Sequence, residues 1–356
     1  MDPIEPNPPE SSPPRGDSTD PANASGASNE PFVSEFDRIN PFAAGPPVTD
    51  AAVPTASTVA PNATEGMRWW TPIAISAVSL LSFIMASGVM AIVALAIVHG
   101  GLSPDLLRDP DSLRMVSESR LGLFLVVVLP QIALVAPCLI AAYLSPVPTR
   151  ERLGLVRGNW PVWAWFAAAA ATPLVGMVSG LVVGLFMDES ETLKEMSQIF
   201  RDHGQNGFLL PLAFMIGATP AICEELLFRG YVQTRLTKSF GPVIGVGFAS
   251  FLFAAFHMDF VHVIAVFPLG LFLGWLTWQS GSLFPAMMAH FVNNVISVVA
   301  VAFAPEAEPE TLALPTIAFT LGILAMGCLG MVAVSIASIA YRRPNGMESQ
   351  NGTQLA

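Results

Sequence analysis

Glu224-Glu225-Leu226-Leu227-Phe228-Arg229 places two carboxylates and a guanidinium inside a long apolar stretch. A charge near a bilayer centre costs roughly 2.5 to 3.5 kcal/mol on insertion scales, so such groups face protein or trapped water and serve a function. Residues four apart on a helix share a face, which pairs Glu225 with Arg229. Glu224 projects about 100° away and faces a different neighbour. A purely structural ion pair accounts for Glu225 and Arg229 but leaves Glu224 without a partner. Two later apolar stretches carry further polar groups at one-turn spacing: Phe253 with His257, and His290 with Asn294. Together these residues supply a base, a second group to hold water, and donors for a developing oxyanion. Glu224, His257 and His290 are also a candidate metal set, for which zinc is the natural ion.

The elements that must position them are membrane helices. Of 356 residues 53% are hydrophobic and 12% charged, where a soluble protein averages about 25% charged. The net charge of -11 and the lack of a basic face argue against nucleic acid as a partner. Cys138, Cys223 and Cys328 lie scattered in apolar runs and suggest neither disulfides nor a zinc cluster. The Cys223 thiol is read as packing.

We expect an all-α polytopic membrane protein with about eight transmembrane helices and the active site inside the bundle. The apolar runs fall near residues 71–98, 121–144, 162–186, 208–236, 242–256, 261–278, 283–303 and 314–341, most of them reaching the 20 or so residues a span requires. Residues 1–66 form a Pro/Ser/Asp-rich tail, expected to be disordered and lacking the pattern of a secretory signal. Phe32 to Phe42 is an aromatic island within it. Residues 67–149 then hold N-terminal spans, 150–303 the catalytic unit, 304–341 a last span and 342–356 a polar tail. The two runs flanking Met258-Asp259-Phe260 form a tight pair.

Arg150, Arg152 and Arg157, then Arg235 and Lys238, then Arg342 and Arg343, follow even-numbered helices. Asp188, Glu189 and Glu191, then Glu306, Glu308 and Glu310, follow odd-numbered ones. The basic ends are therefore cytoplasmic, with both termini, in a cell (inner or plasma) membrane. The segment from Asp105 to Arg120, of mixed charge, is read as a loop. Leu193, Met196, Ile199 and Phe200 recur at helical spacing among Lys194, Glu195 and Arg201 and predict a short amphipathic helix at the outer surface. Gly176, Gly180 and Gly184, and likewise Gly270 and Gly274, read as small-residue packing seams. His99 and His203 are placed in polar loops, and Asp259 and His262 at a turn, paired with each other or with backbone.

Glu-Glu-x-x-x-Arg, Phe-x-x-x-His and His-x-x-x-Asn, in that order on separate membrane helices, resemble the CAAX protease and bacteriocin-processing family of intramembrane proteases. That family includes type II CAAX prenyl endopeptidases and lysostaphin-resistance-A-like proteins. The similarity runs from about Arg150 to Ala300, and Glu151-Arg152-Leu153-Gly154-Leu155 resembles the entry to the family's core. The resemblance implies an endopeptidase acting on a membrane-associated protein or peptide. Glu224 and His257 would activate water, His290 and Asn294 would hold the oxyanion, and Glu225, Arg229 and Phe253 would support the site. Two His and one Glu fit either a metal or a glutamate mechanism. His-Glu-x-x-His, Gly-x-Ser-Gly and Gly-x-Gly-Asp do not occur, which removes zincin, rhomboid and presenilin-like readings. A proton-coupled transporter or a non-catalytic membrane scaffold are the alternatives; the first lacks a duplicated pair of broken helices, and the second sits poorly with intact motifs. The sequence ends without the cysteine that prenylation would need.

Overall fold

In the computed structural model the described residues are 69–303 and 314–341, all of whose regular structure is helical. The tail, the acids at 306–310 and the arginines at 342–343 lie outside them. The described residues form eleven α-helices: α1 (Thr71–Val98), α2 (Pro110–Glu118), α3 (Arg120–Tyr143), α4 (Thr149–Arg152), α5 (Val162–Gly184), α6 (Glu191–His203), α7 (Leu209–Glu224), α8 (Thr234–Ala255), α9 (Phe260–Ser280), α10 (Phe284–Phe303) and α11 (Leu314–Ala340). Between α7 and α8 a π-helical segment, Glu225–Gln233, keeps the rod continuous. Seven helical stretches are long and apolar enough to cross a membrane, one of them running from Glu191 to Ala255. The fold is all-α and polytopic.

That long stretch is broken at Gly207 (φ 77°) and Gly241 (φ 80°, ψ 168°), a left-handed region that glycine enters without a Cβ clash. Pro242 follows the second break. The fifth apolar run is thus the short arm of α8 beyond Gly241, and it pairs with α9. A Cβ on Gly270 would meet Phe253 Cδ1 at 3.1 Å and one on Gly274 would meet Val246 Cγ1 at 2.9 Å, so this seam sets how closely the two helices approach. On α5, Gly176 lies against Asn293, but Gly180 and Gly184 face open space; the expected seam is a single contact.

Local signals explain the helix ends. Asp259 opens α9 by accepting the His262 N–H at 2.9 Å, and Gly281, left-handed, closes it. Ser190 caps α6, accepting from the Leu193 N–H at 3.2 Å. The expected amphipathic helix forms, with Ile199 and Phe200 packed on a cluster that includes Leu123, Leu212 and Val298. Two expectations fail. Residues 110–118 form helix α2, capped by Asp109 with Pro110 in its first turn. His203 is the buried last residue of α6, its Nε2 2.8 Å from the Ser117 carbonyl. His99 lies just beyond α1, with Nε2 3.4 Å from the Ser112 carbonyl.

Helix α1 packs on α3, α5 on α10 and α11, α7 on α10 and α3, and α8 on α9. One end of the bundle is tied together by backbone hydrogen bonds from Asn159 N–H to Ser280 and from Leu283 N–H to Gly154, and by the Asn159 amide donating to Tyr341 O. Arg150, Arg152 and Arg157 belong to this end. The opposite end joins Arg120 to the Asn206 carbonyl and Gln205 to that of Ala302.

Candidate active site

The site is built where the π segment faces α3, α9 and α10. All nine residues of Glu225–Gln233 are buried. A π turn widens the helix by one residue and is a frequent feature of functional sites. Here it keeps Glu225 and Arg229 in contact: Arg229 Nη1 donates to Glu225 Oε1 at 2.8 Å, both side chains fully buried. Arg229 Nη2 donates to the Gly270 carbonyl at 3.0 Å, and the guanidinium lies 4.1 Å from the Phe253 ring centre. Buried charge persists only when paired and hydrogen-bonded in this way.

His290 joins the same carboxylate, its Nδ1 3.0 Å from Glu225 Oε1. A carboxylate only accepts, so the proton sits on Nδ1 and Nε2 is left for other work. That Nε2 lies 4.0 Å from Glu224 Oε2. The other oxygen, Glu224 Oε1, accepts from Gln131 Nε2 at 2.9 Å. Glu224 is therefore not the unpartnered acid that helix spacing implied; α3 supplies its partner. The side chains of Glu224 and His290 are 12% and 4% exposed, an almost closed setting.

The remaining expected residues lie around this centre rather than in it. Phe253 contacts the rings of both His257 and His290, at centroid distances of 5.3 and 5.8 Å. His257 directs Nδ1 at the Phe253 carbonyl, 3.1 Å away, and its ring meets that of His262 at 4.5 Å. Met258, next in the chain, has φ 56°, an uncommon state for a bulky residue that marks a strained turn. Asn294 donates through Nδ2 to the Ile216 carbonyl at 3.2 Å and accepts from Asn293 at 3.3 Å. The structure thus brings together Glu224, Glu225, Arg229, Phe253 and His290, and adds Gln131. His257 and Asn294 are anchored one helical turn away, with no direct contact to Glu224. Cys223 is buried in the adjoining apolar core with Leu226 and Leu227.

Among the described residues no three His, Cys, Asp or Glu side chains come together as a metal-holding group. His257 directs Nδ1 at a backbone carbonyl and His290 directs Nδ1 at Glu225, contacts that leave the two Nε2 atoms as the ring nitrogens open to a water or a metal beside Glu224. The centre lies within the spans. His290 follows the start of α10 by six residues, about 9 Å at 1.5 Å per residue, counted from the end that carries Arg150 and Arg152.

Uncharacterized protein YpbD of Bacillus subtilis (strain 168) is 32% identical over 120 residues, covering 30% of this chain and 57% of that protein. The chain spans a little over half the length of this curated relative. No solved structure matches. Residues 206–296 match the family model for type II CAAX prenyl endopeptidase Rce1-like proteins. That interval contains Glu224, Glu225, Arg229, Phe253, His257, His290 and Asn294, and over it the chain resembles the CAAX protease and bacteriocin-processing family of intramembrane proteases.

Proposed function

We propose that this chain is an intramembrane endopeptidase that hydrolyses a peptide bond of a membrane-associated protein or peptide, with Glu224 as general base. The observation that carries this reading is the 4.0 Å gap between Glu224 Oε2 and His290 Nε2. It is too wide for a hydrogen bond and suits one water donating to both acceptors. Glu224 takes a proton from that water as its oxygen attacks the peptide carbonyl, then returns the proton to the departing nitrogen as the C–N bond breaks. His290, held by Glu225 through Nδ1, accepts at Nε2 a hydrogen bond from the water's other O–H, which stays on the oxygen. Asn294 has one amide N–H not spent on Ile216, and this donor is assigned to the oxyanion. The geometry thus favours His290, rather than His257, as the water's second partner. The match over residues 206–296 supports the reaction class.

The test compares the membrane peptidomes of cells carrying the wild-type chain and Glu224→Gln. Peptides released only by the wild type, and released again by purified protein in vesicles, are the expected result. Identical peptidomes together with inert purified protein would overturn the reading. We assign no catalytic step to a metal. Stoichiometric zinc in active protein, with activity lost on its removal and restored on its return, would refute that assignment.

The basic end is proposed to face the cytoplasm. A cysteine at Arg152 should react with an impermeant reagent only after permeabilisation and one at Glu189 in intact cells; labelling of both from one side would overturn this orientation.

A further inference from the structure

Between Leu121 and Ala142, Gln131 is the one residue of α3 with an amide, acidic or basic side chain. An amide in hydrocarbon surroundings costs free energy unless it finds a partner. It lies outside the three motifs and outside the interval 206–296. Its partner is 93 residues away: Nε2 donates to Glu224 Oε1 at 2.9 Å. Its own Oε1 is buried and accepts nothing from the protein. The buried amide of Gln233 also leaves Oε1 unpartnered, but its donor meets a backbone carbonyl, that of Gly274, whereas the Gln131 donor is aimed at the acid of the candidate site. Gln131 spends its donor on the carboxylate and leaves its acceptor open.

We infer that Gln131 is a positioning residue, which pins Glu224 by one oxygen and so turns the other, Oε2, toward His290 and the attacking water. The inference rests on the proposed function, because it assigns a part in that reaction. The pin matters because a carboxylate on two rotatable bonds can present either oxygen in many directions, whereas water activation needs one of them at a fixed place. Helix α1 packs against α3 on one side and α7 packs on α3 at another, so the amide is carried by an element wedged into the bundle. The N-terminal spans thereby take part in the chemistry of a site whose other residues lie in the second half of the chain.

Two variants and two readouts test this. Gln131→Met keeps the volume and removes the amide; Gln131→Leu removes it with a shorter, branched side chain. Infrared difference spectra against Glu224→Gln isolate the carboxylate stretches of Glu224 without any turnover. Their splitting should change in both variants, because one oxygen loses its hydrogen bond. On the peptides identified by the Glu224 comparison, kcat per folded molecule should fall about 10- to 100-fold, the range expected for a lost hydrogen bond to a charged group, with KM little changed. Unaltered carboxylate bands in the folded variants would overturn the inference whether or not the protein cleaves peptides. A wild type that cleaves nothing, with bands that do shift, would refute the proposed reaction and leave the pin standing. Should Gln131→Leu fail to fold, the spectrum of Gln131→Met decides.

Discussion

The π segment Glu225–Gln233 and helix α1 are both helical and both lie in apolar surroundings, yet they use the membrane in opposite ways. Every residue of the π segment is buried. Of the 28 residues of α1 only Pro72, Ser76, Ser79, Ala94 and Leu95 are, and Val78, Leu81, Ile84, Met85, Val89 and Ile92 are exposed. In water that surface would be a liability; against lipid chains it is matched. The buried segment instead carries Glu225, Arg229 and Gln233, each fully enclosed. The charges are enclosed as a pair, Glu225 with Arg229, although Glu225 Oε2 and Arg229 Nε meet no partner in the protein. Hydrophobic side chains therefore say little about where this molecule works, and enclosed polar ones say a great deal.

The sharpest way to break that contrast is to separate the two adjacent acids. Glu224→Gln should keep its fold, since an amide can still meet Gln131, and lose cleavage by about 10² to 10⁴, the usual cost of a general base. Glu225→Gln should lose about 3 to 5 kcal/mol, because the enclosed Arg229 is left without its counter-charge, and should also loosen His290. Glu225→Gln combined with Arg229→Met should regain part of that stability. Melting curves in detergent beside a cleavage assay measure all three. An early melt for Glu224→Gln with a normal one for Glu225→Gln would mean that the acids have each other's roles.

A smaller effect tests the apolar side of the comparison. Leu227, fully buried in the core below the site, should cost about 2 to 5 kcal/mol when changed to Ala, because a cavity is left. Leu81, 61% exposed on α1, should change melting in lipid nanodiscs far less, since an acyl chain fills the space. Equal losses at the two positions would mean that α1 is covered by protein rather than by lipid.

The sequence revealed the apolar runs, the three motifs and the Glu225–Arg229 pair because each depends on local spacing. The closest partners of Glu224 were not legible. Gln131 is one amide in an apolar helix, and nothing in its neighbourhood shows that it faces an acid 93 residues on. The contact of His290 with Glu225 likewise depends on how α10 lies against the π segment, and a π turn has no residue signature to announce it. Helix α2 is a different case. Asp109 followed by Pro110 is a helix start that propensity alone could have found, and the mixed charge of the segment obscured it. His203 was obscured in the same way, by polar neighbours on the opposite face of α6.

The smallest expected effect lies at the rim, where enclosed and lipid-facing regions meet in the turn after His257. The Asp259 carboxyl is held below its ordinary range, first by the backbone N–H of His262 and then by the Ser190 hydroxyl. A carboxyl lowered in the folded state adds stability in full above its unfolded value, about 3.9, and that contribution is lost as pH falls through the lower folded value. Melting temperature should therefore decline through this acid range partly because the start of α9 loses its cap. Asn caps a helix about as well as Asp but does not titrate. Asp259→Asn should match the wild type near neutrality and show a shallower decline on acidification. Because Asp259 fixes the end of α9 beside His257, the wild-type turn should also become more accessible to protease over the same interval. A decline of the same slope in wild type and Asp259→Asn would show that the acid sensitivity arises elsewhere, in the enclosed carboxylates rather than at the rim.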